Sequence, residues 1–539
     1  MKKMIKILMI VFLFSGSASA QLDREEQLIV KAMRDQLAVS MDSLKLGDFP
    51  RPNFIEYIYK RGEISRMRYR KGALYEELIA EPVNLVRANL VVKDKNGFTN
   101  LNFDKKGFAV YSRMGGEHDG VAIQTDYDEI RRALWLLSDR QYKSAIRDYE
   151  AKMRKKSEPS LSENVKKEME LPDFQSLTAV KYYDPFTANP VDVAYWHDLL
   201  ASVSGIYNNY EGLFDVSASV DFSCGNIYTV NTENTEMRQT SLDVTVHVTI
   251  TVRNENKQYF SETLSYLGST AKDMPSKQEI LDQTNEAVKL VLALSEAELA
   301  DKEYVGPAIV DAPAVIEPQL YNSFTASRIP AEGMSYRGNS DNIGIRFCSS
   351  IISMTATPTL KEFNGKKLLG SYAVDADGVK PDAELLLVEK GILKRLLNDR
   401  IPTQAIPQAT GHLQYDTYVP SMAKVLMPGV LQVNSSVMKS AGKLKSELMN
   451  KAKEDGVGHA FIVRRLKNGT TNWFYKVNVQ DGTETLVRGY HLNARDNESL
   501  RRIVASSDNK DLFYLKYFGK NNSVISPEEF LFEEVNISK

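Results

Sequence analysis

Cysteine and histidine are scarce in this chain, and each scarcity narrows what it can be. Two cysteines in 539 residues exclude a disulfide-dense scaffold and a cysteine-rich zinc module. Cys224 and Cys348 can pair in an oxidising compartment or stay as free buried thiols, and their spacing does not choose between the two. The six histidines, His118, His197, His247, His412, His459 and His491, are scattered, the nearest two being His459 and His491. A helical zinc site needs two imidazoles about one turn apart with a carboxylate beside them. No pair here has that spacing. The G-x-S-x-G elbow, the P-loop and the dinucleotide fingerprint are missing as well, as is any later apolar run long enough to span a membrane. Charge of one sign is not in excess: 68 basic side chains face 70 acidic ones, a formal net charge of -2. With no net positive field to concentrate polyanions, nucleic acid is not an expected partner. No repeat of 20–50 residues recurs, which excludes solenoids and propellers.

What is present begins with an export signal. Lys2, Lys3 and Lys6 precede the apolar run Ile7 to Phe14 and the small residues Ala18-Ser19-Ala20, a pattern read as a signal peptide, residues 1–20, cut after Ala20. The apolar run is too short to anchor the chain in a bilayer, and no cysteine follows it for lipid attachment. A periplasmic or secreted location is expected.

Periodicity predicts an α+β protein: amino-terminal α/β units with antiparallel sheets and flanking helices, then a β-rich carboxy-terminal domain. The first unit, 21–156, carries helical spacing over 27–44 and 128–155 and strands near 50–59 and 85–92. In the last of these, Val86, Ala88, Leu90 and Val92 share one face and Arg87 and Asn89 the other. A linker is read over 157–185. The second unit, 186–300, has helices over 191–204 and 276–299 and strands at 214–222, 227–231 and 242–253. Cys224-Gly225 is read as a turn between the first two. In the third strand Val244, Val246, Val248 and Ile250 alternate with Thr245, His247, Thr249 and Thr251, so His247 is expected to meet a cross-strand partner on a polar face. Residues 301–539 are rich in strands and glycine turns, with one helix over 435–455.

Several segments, in order, carry a family resemblance. Gly370-Ser-Tyr-Ala-Val-Asp375-Ala-Asp377-Gly378 leads through Glu384 to Gly391 and Lys394 and on to Leu397-Asn-Asp399-Arg400; Thr410-Gly411-His412 and Met427-Pro428-Gly429 follow. Upstream stand Tyr304-Val305-Gly306-Pro307-Ala308, Ile227 to Thr235, Asp126-Tyr127-Asp128 and Asp139-Arg140-Gln141-Tyr142; Leu486-Val487-Arg488-Gly489 lies near the end. Together these resemble the TldD/PmbA family of metallopeptidases, in an exported branch. Gly306, Pro307, Gly370, Asp377, Gly378, Gly391 and Gly429 would be structural residues of its motifs. The resemblance implies a histidine–glutamate–three-residue–histidine helix shortly after Gly306-Pro307. This chain reads Ala312 to Phe324 there, with Glu317 as its only acidic side chain, and Pro318 is expected to stop or kink a helix. No catalytic residue, no metal ligand and no cofactor are therefore assigned.

The resemblance further implies a zinc-free subunit that homodimerises or pairs with a zinc-bearing relative and holds extended peptide in a groove of the carboxy-terminal domain. Gly411, His412 and Asn322 are candidates for lining that groove. Two alternatives stay open. One is an active peptidase with relocated ligands, zinc as cofactor and His412 as first suspect. The other is a structural or interaction protein of the cell envelope. Glu117-His118-Asp119 is read as a solvated loop, and Asp375-Ala376-Asp377-Gly378 as a hairpin turn and not a calcium loop.

Overall fold

The computed structural model describes residues 21–100, 125–157, 175–186, 190–320, 324–326, 342–403, 405–415, 424–493, 497–517 and 519–539. The architecture is α+β, with mostly antiparallel strands. In the first sheet β1 (Pro52–Arg70) pairs with β2 (Ala73–Val92), and the short β3 (Lys181–Tyr183) lies parallel to the start of a later strand. That strand, β5 (Glu236–Arg253), runs between β4 (Leu213–Asn231) and β6 (Tyr259–Gly268). Because β1 also pairs with β4, strands from residues 21–156 and 186–300 belong to one six-stranded sheet. The end of the stretch read as a linker is docked there too: β3 lies within it, and the Gln175 carbonyl accepts from Arg400 Nη2 at 2.8 Å.

Four helices cover one face of this sheet. α1 (Arg24–Ser43) opens with a capping box in which Asp23 and Glu26 each accept the other's backbone N–H at 2.9 Å. α2 (Tyr127–Lys156) packs with it over Ile55, Tyr57, Tyr59, Val86 and Val230. α3 (Val193–Gly205) and α4 (Lys277–Glu296) cover Met67, Val216, Val220, Val246 and Ile250. Alternation places every second residue of these strands against the helices. The intervening residues form a polar face.

The described residues of 298–539 form a six-stranded and a nine-stranded sheet, with two two-stranded sheets beside them. The strand Tyr304–Asp311 leads into α5 (Ala312–Leu320), and α6 (Ala441–Glu454) packs on the nine-stranded sheet. Ile58 and Ile227 of the first sheet join the same apolar cluster as Leu387, Leu413 and Val524, so the core runs on between the two halves. No helix among the described residues is long and apolar enough to cross a membrane.

Four local expectations are corrected. Cys224-Gly225 is not a turn: β4 runs unbroken through it, and Gly225 sits opposite Gly62 of β1. A Cβ on either glycine would lie 2.4 Å from a carbonyl oxygen of the other strand and 2.8 Å from its Cα, so glycine is there for close approach. Pro318 does not stop α5, which runs two residues further; it sits in the last turn. The helix expected over 435–455 starts at Ala441, because Val430–Ser435 and Met438–Lys439 are strands. Asp375 to Gly378 is a tight turn, but no paired strands flank it. The Asp375 carboxylate stands in for a partner strand by accepting from the backbone N–H groups of Asp377 at 2.9 Å and Val379 at 2.8 Å. By contrast, Lys390 and Gly391, both at positive φ, do form the expected hairpin turn between Leu385–Glu389 and Ile392–Leu393.

Candidate functional site: the polar face of the first sheet

Half of the polar face is open, and it forms a cleft of about 530 Å³. Its floor is a set of cross-strand rows. Arg68, Ser219, His247 and Ser265 stand side by side on β1, β4, β5 and β6, and Arg66, Asp221 and Thr245 form the next row. Arg66 Nε donates to Asp221 Oδ1 at 2.6 Å. Tyr75 of β2 lines the cleft on one side. At the other, Lys516, from the edge strand Lys510–Tyr517, bonds Asp243 and reaches Thr245 Oγ1 at 2.8 Å.

His247 has the cross-strand role expected of it: Nδ1 lies 2.9 Å from Ser265 Oγ. Burial lowers the pKa of its imidazole, which favours the neutral ring. A serine beside a neutral imidazole invites comparison with a nucleophile and its base. Here the pair continues a ladder, since Thr249 meets Thr263 and Thr251 meets Ser261, each at 3.0 Å. The nearby carboxylates of Asp221 and Asp243 are engaged by Arg66 and Lys516, so neither is free to orient the ring as a relay would require. The wall offers hydroxyls, an imidazole and paired charges.

The other half of the polar face is covered by the carboxy-terminal domain through charge. Lys424 Nζ lies 3.0 Å from Glu56 Oε2 of β1 and 2.7 Å from Asp377 Oδ1, all three side chains about 1 % exposed. Asn89 Nδ2 donates to Glu56 Oε2 at 2.7 Å, and Arg87 Nε to Asn89 Oδ1 at 3.0 Å. Thr229 and Tyr415 hydroxyls meet at 2.8 Å beside them. Burial, and then the charge of Asp377, raise the pKa of the Asp375 carboxyl. A second ion pair, Arg400 with Glu233 at 2.7 Å, ties the same surfaces together. Such a junction is costly to desolvate and costlier to leave half made.

The residues predicted to line a groove lie elsewhere. Gly411 and His412 are buried, His412 completely. Its Nδ1 lies 2.7 Å from the Thr410 carbonyl, Nε2 has no hydrogen-bond partner, and burial pushes the imidazole down to about 4. Asn322 and Glu117-His118-Asp119 lie outside the described residues. The motif residues that are described lie in tight backbone surroundings. Gly370 and Gly429 approach each other's carbonyls within 2.2 and 2.5 Å of an added Cβ, and Gly391 packs on the Cys348 and Ser349 carbonyls. Asp377 and Gly378 belong to the junction turn, and the Pro307 carbonyl accepts from Tyr304 at 2.8 Å beside Gly306. Cys224 and Cys348 are not joined in a disulfide. The cleft itself was not read from the sequence; the alternation of His247 with valines marked its face, but not that the face was open.

A zinc ion does not fit the described residues. On α5 the Glu317 carboxylate is bound by Arg465, and among the described residues no three histidine, cysteine or acidic side chains converge.

Comparison with known proteins locates the fold. Residues 311–539 match the family profile of the PmbA/TldA metallopeptidase C-terminal domain. A candidate modulator of a DNA gyrase from Thermotoga maritima is similar with a TM-score of 0.57 and 13% identity, over 94% of this chain and 99% of that one. TldE from Thermococcus kodakarensis gives a TM-score of 0.55 and 12% identity, over 94% of this chain and 100% of that one. A candidate modulator of DNA gyrase from Bacteroides thetaiotaomicron gives 0.56 and 12%, over 96% of this chain and 100% of that one. At such identities the likeness is one of fold. No curated protein matches the chain.

Proposed function

We propose, for a chain whose residues 311–539 match the PmbA/TldA metallopeptidase C-terminal domain, that it is an exported, non-catalytic protein of that kind that binds extended polypeptide without a metal cofactor. The observation that carries this reading is the cleft. Its rows of Arg68, Ser219, His247 and of Arg66, Asp221, Thr245 supply donors and acceptors at strand spacing, with no activated nucleophile. An extended chain laid across them finds partners for its own N–H and C=O groups. Pairing with a second copy or a zinc-bearing relative is supported by the outer edge of β2, where Leu74, Tyr75 and Ile79 are exposed on a strand with no further neighbour in its sheet among the described residues. Export follows the amino-terminal pattern of Lys2, Lys3, Lys6 and Ala18-Ser19-Ala20.

Filling the cleft tests this directly. Ser219→Trp, in the middle of the floor, should weaken binding of a reduced, carboxymethylated polypeptide by about tenfold or more, with the circular dichroism spectrum unchanged. Fluorescence anisotropy of the labelled polypeptide reads the effect. Absence of binding to the unaltered protein, or equal binding to the variant, contradicts the reading.

A further inference from the structure

A second, smaller cavity of about 110 Å³ lies where β5 meets the segment 371–374 and the strand Leu413–Tyr415. It is separate from the cleft: the two share no lining residue. Three polar atoms on its lining residues have no hydrogen-bond partner: Gln239 Oε1, Ser241 Oγ and Gln414 Nε2. Ser241 and Gln414 are each only 3% exposed.

The orientation of one amide is fixed. Gln239 Nε2 donates to the Val374 carbonyl at 3.1 Å and the Asp375 carbonyl at 3.3 Å, and only a nitrogen can face two carbonyls. Its Oε1 is therefore an acceptor held in place without a donor. Gln414 Nε2 is a donor with the Tyr372 hydroxyl beside it but no hydrogen bond of normal geometry, and Ser241 Oγ serves as either donor or acceptor. Buried polar atoms are almost always bonded, so three orphans on one cavity mark a space that something polar fills. Asp184, a carboxylate on the same lining, already accepts from the Tyr182 hydroxyl at 2.5 Å and the Thr240 N–H at 3.1 Å.

A donor, an acceptor and a hydroxyl together complement a group that both accepts and donates on adjacent atoms. A carboxamide does this: its oxygen accepts from Gln414, and its NH₂ donates to Gln239 and Ser241. A carboxylate would set a second acceptor against Gln239 Oε1. We propose that this cavity binds the carboxamide head of a small molecule of the glutamine or asparagine type. Thr240 and Lys520, both half-buried, line it as well.

Thermal unfolding of the full mature chain with millimolar L-glutamine or L-asparagine tests this, with L-glutamate and L-aspartate as matched acids. The amides should raise the midpoint in a dose-dependent, saturable way, and the acids should not. Gln414→Leu should leave the ligand-free protein at least as stable, because it removes an unbonded donor, while weakening the glutamine response by about tenfold or more. Ser241→Ala should weaken it less. Ser219→Trp, which fills the cleft, should leave it intact, so failure of the polypeptide reading and failure of this one are distinguishable. The proposal is overturned if glutamine moves nothing, if acids act as well as amides, if Gln414→Leu responds like the unaltered protein, or if Ser219→Trp removes the response. A crystal soaked in glutamine that shows only ordered water on the three orphan atoms, or binding at crystal concentration only, overturns it as well.

Discussion

Lys424→Met should destabilise the protein by about 3–5 kcal/mol, the range seen when one partner is removed from a buried ion pair. Methionine keeps the length of the lysine stem but leaves the Glu56 and Asp377 carboxylates facing each other. Asp377 Oδ2 already lacks a hydrogen-bond partner, and the raised pKa of Asp375 nearby shows how poorly this space holds negative charge. Denaturant unfolding gives the loss of stability. Hydrogen exchange gives its location: the amides of residues 54–60 and 85–91, beneath the junction, should exchange faster, while those of β6 should change little. Combining Lys424→Met with Glu56→Gln and Asp377→Asn should recover much of the loss, since the damage comes from the unpaired charges and not from the missing amine. A single variant as stable as the unaltered protein would show that the junction does not hold the two halves together.

Gly225→Val should cost about 3 kcal/mol, at the upper end of overpacking effects, because the added Cβ meets backbone on the neighbouring strand. The Arg61 oxygen would lie 2.4 Å away and the Gly62 Cα 2.8 Å. Backbone atoms cannot step aside as a side chain can, so β1 and β4 must separate at the point where they pass from the covered half of the polar face to the open half. Gly442→Ala is the control. Nothing lies within 4 Å of a Cβ at that position in α6, and alanine there should be neutral or stabilising by about 0.5–1 kcal/mol. Chemical denaturation of both variants checks the contrast. Equal behaviour would mean that the close approach at Gly62 and Gly225 is not tight in solution.

Much of this fold is legible in the sequence because period-two alternation is a local signal. Val244 to Ile250 gave both faces of β5, and Val86 to Val92 both faces of β2. Alternation says that Arg87, Asn89 and His247 face away from the apolar core; it does not say what they face. Arg87 and Asn89 are buried under Lys424 and Asp377, from far along the chain, whereas His247 opens onto the cleft. The difference is set by where the carboxy-terminal domain stops, which no local pattern contains. The same limit explains Cys224-Gly225. A glycine in a strand reads as a break when only its own segment is seen, and as a close-packing point once Gly62 is opposite it. Pro318 was expected to stop or kink a helix; the described helix α5 contains it and continues through Gln319 and Leu320. The family motifs were legible as order along the chain, and Gly370, Gly391 and Gly429 are held by backbone contacts consistent with a structural role. The orphan atoms of the small cavity had no sequence signal, since Gln239 and Gln414 come from different domains.

The central claim, that this chain works by binding and not by metal chemistry, is tested most directly by metal analysis. The mature chain should be equilibrated with excess zinc, freed of unbound ion and measured by mass spectrometry alongside a peptide-hydrolysis assay. The account expects far less than one zinc per chain and no hydrolysis that a chelator removes. One zinc per chain together with chelator-sensitive cleavage of peptide would contradict it.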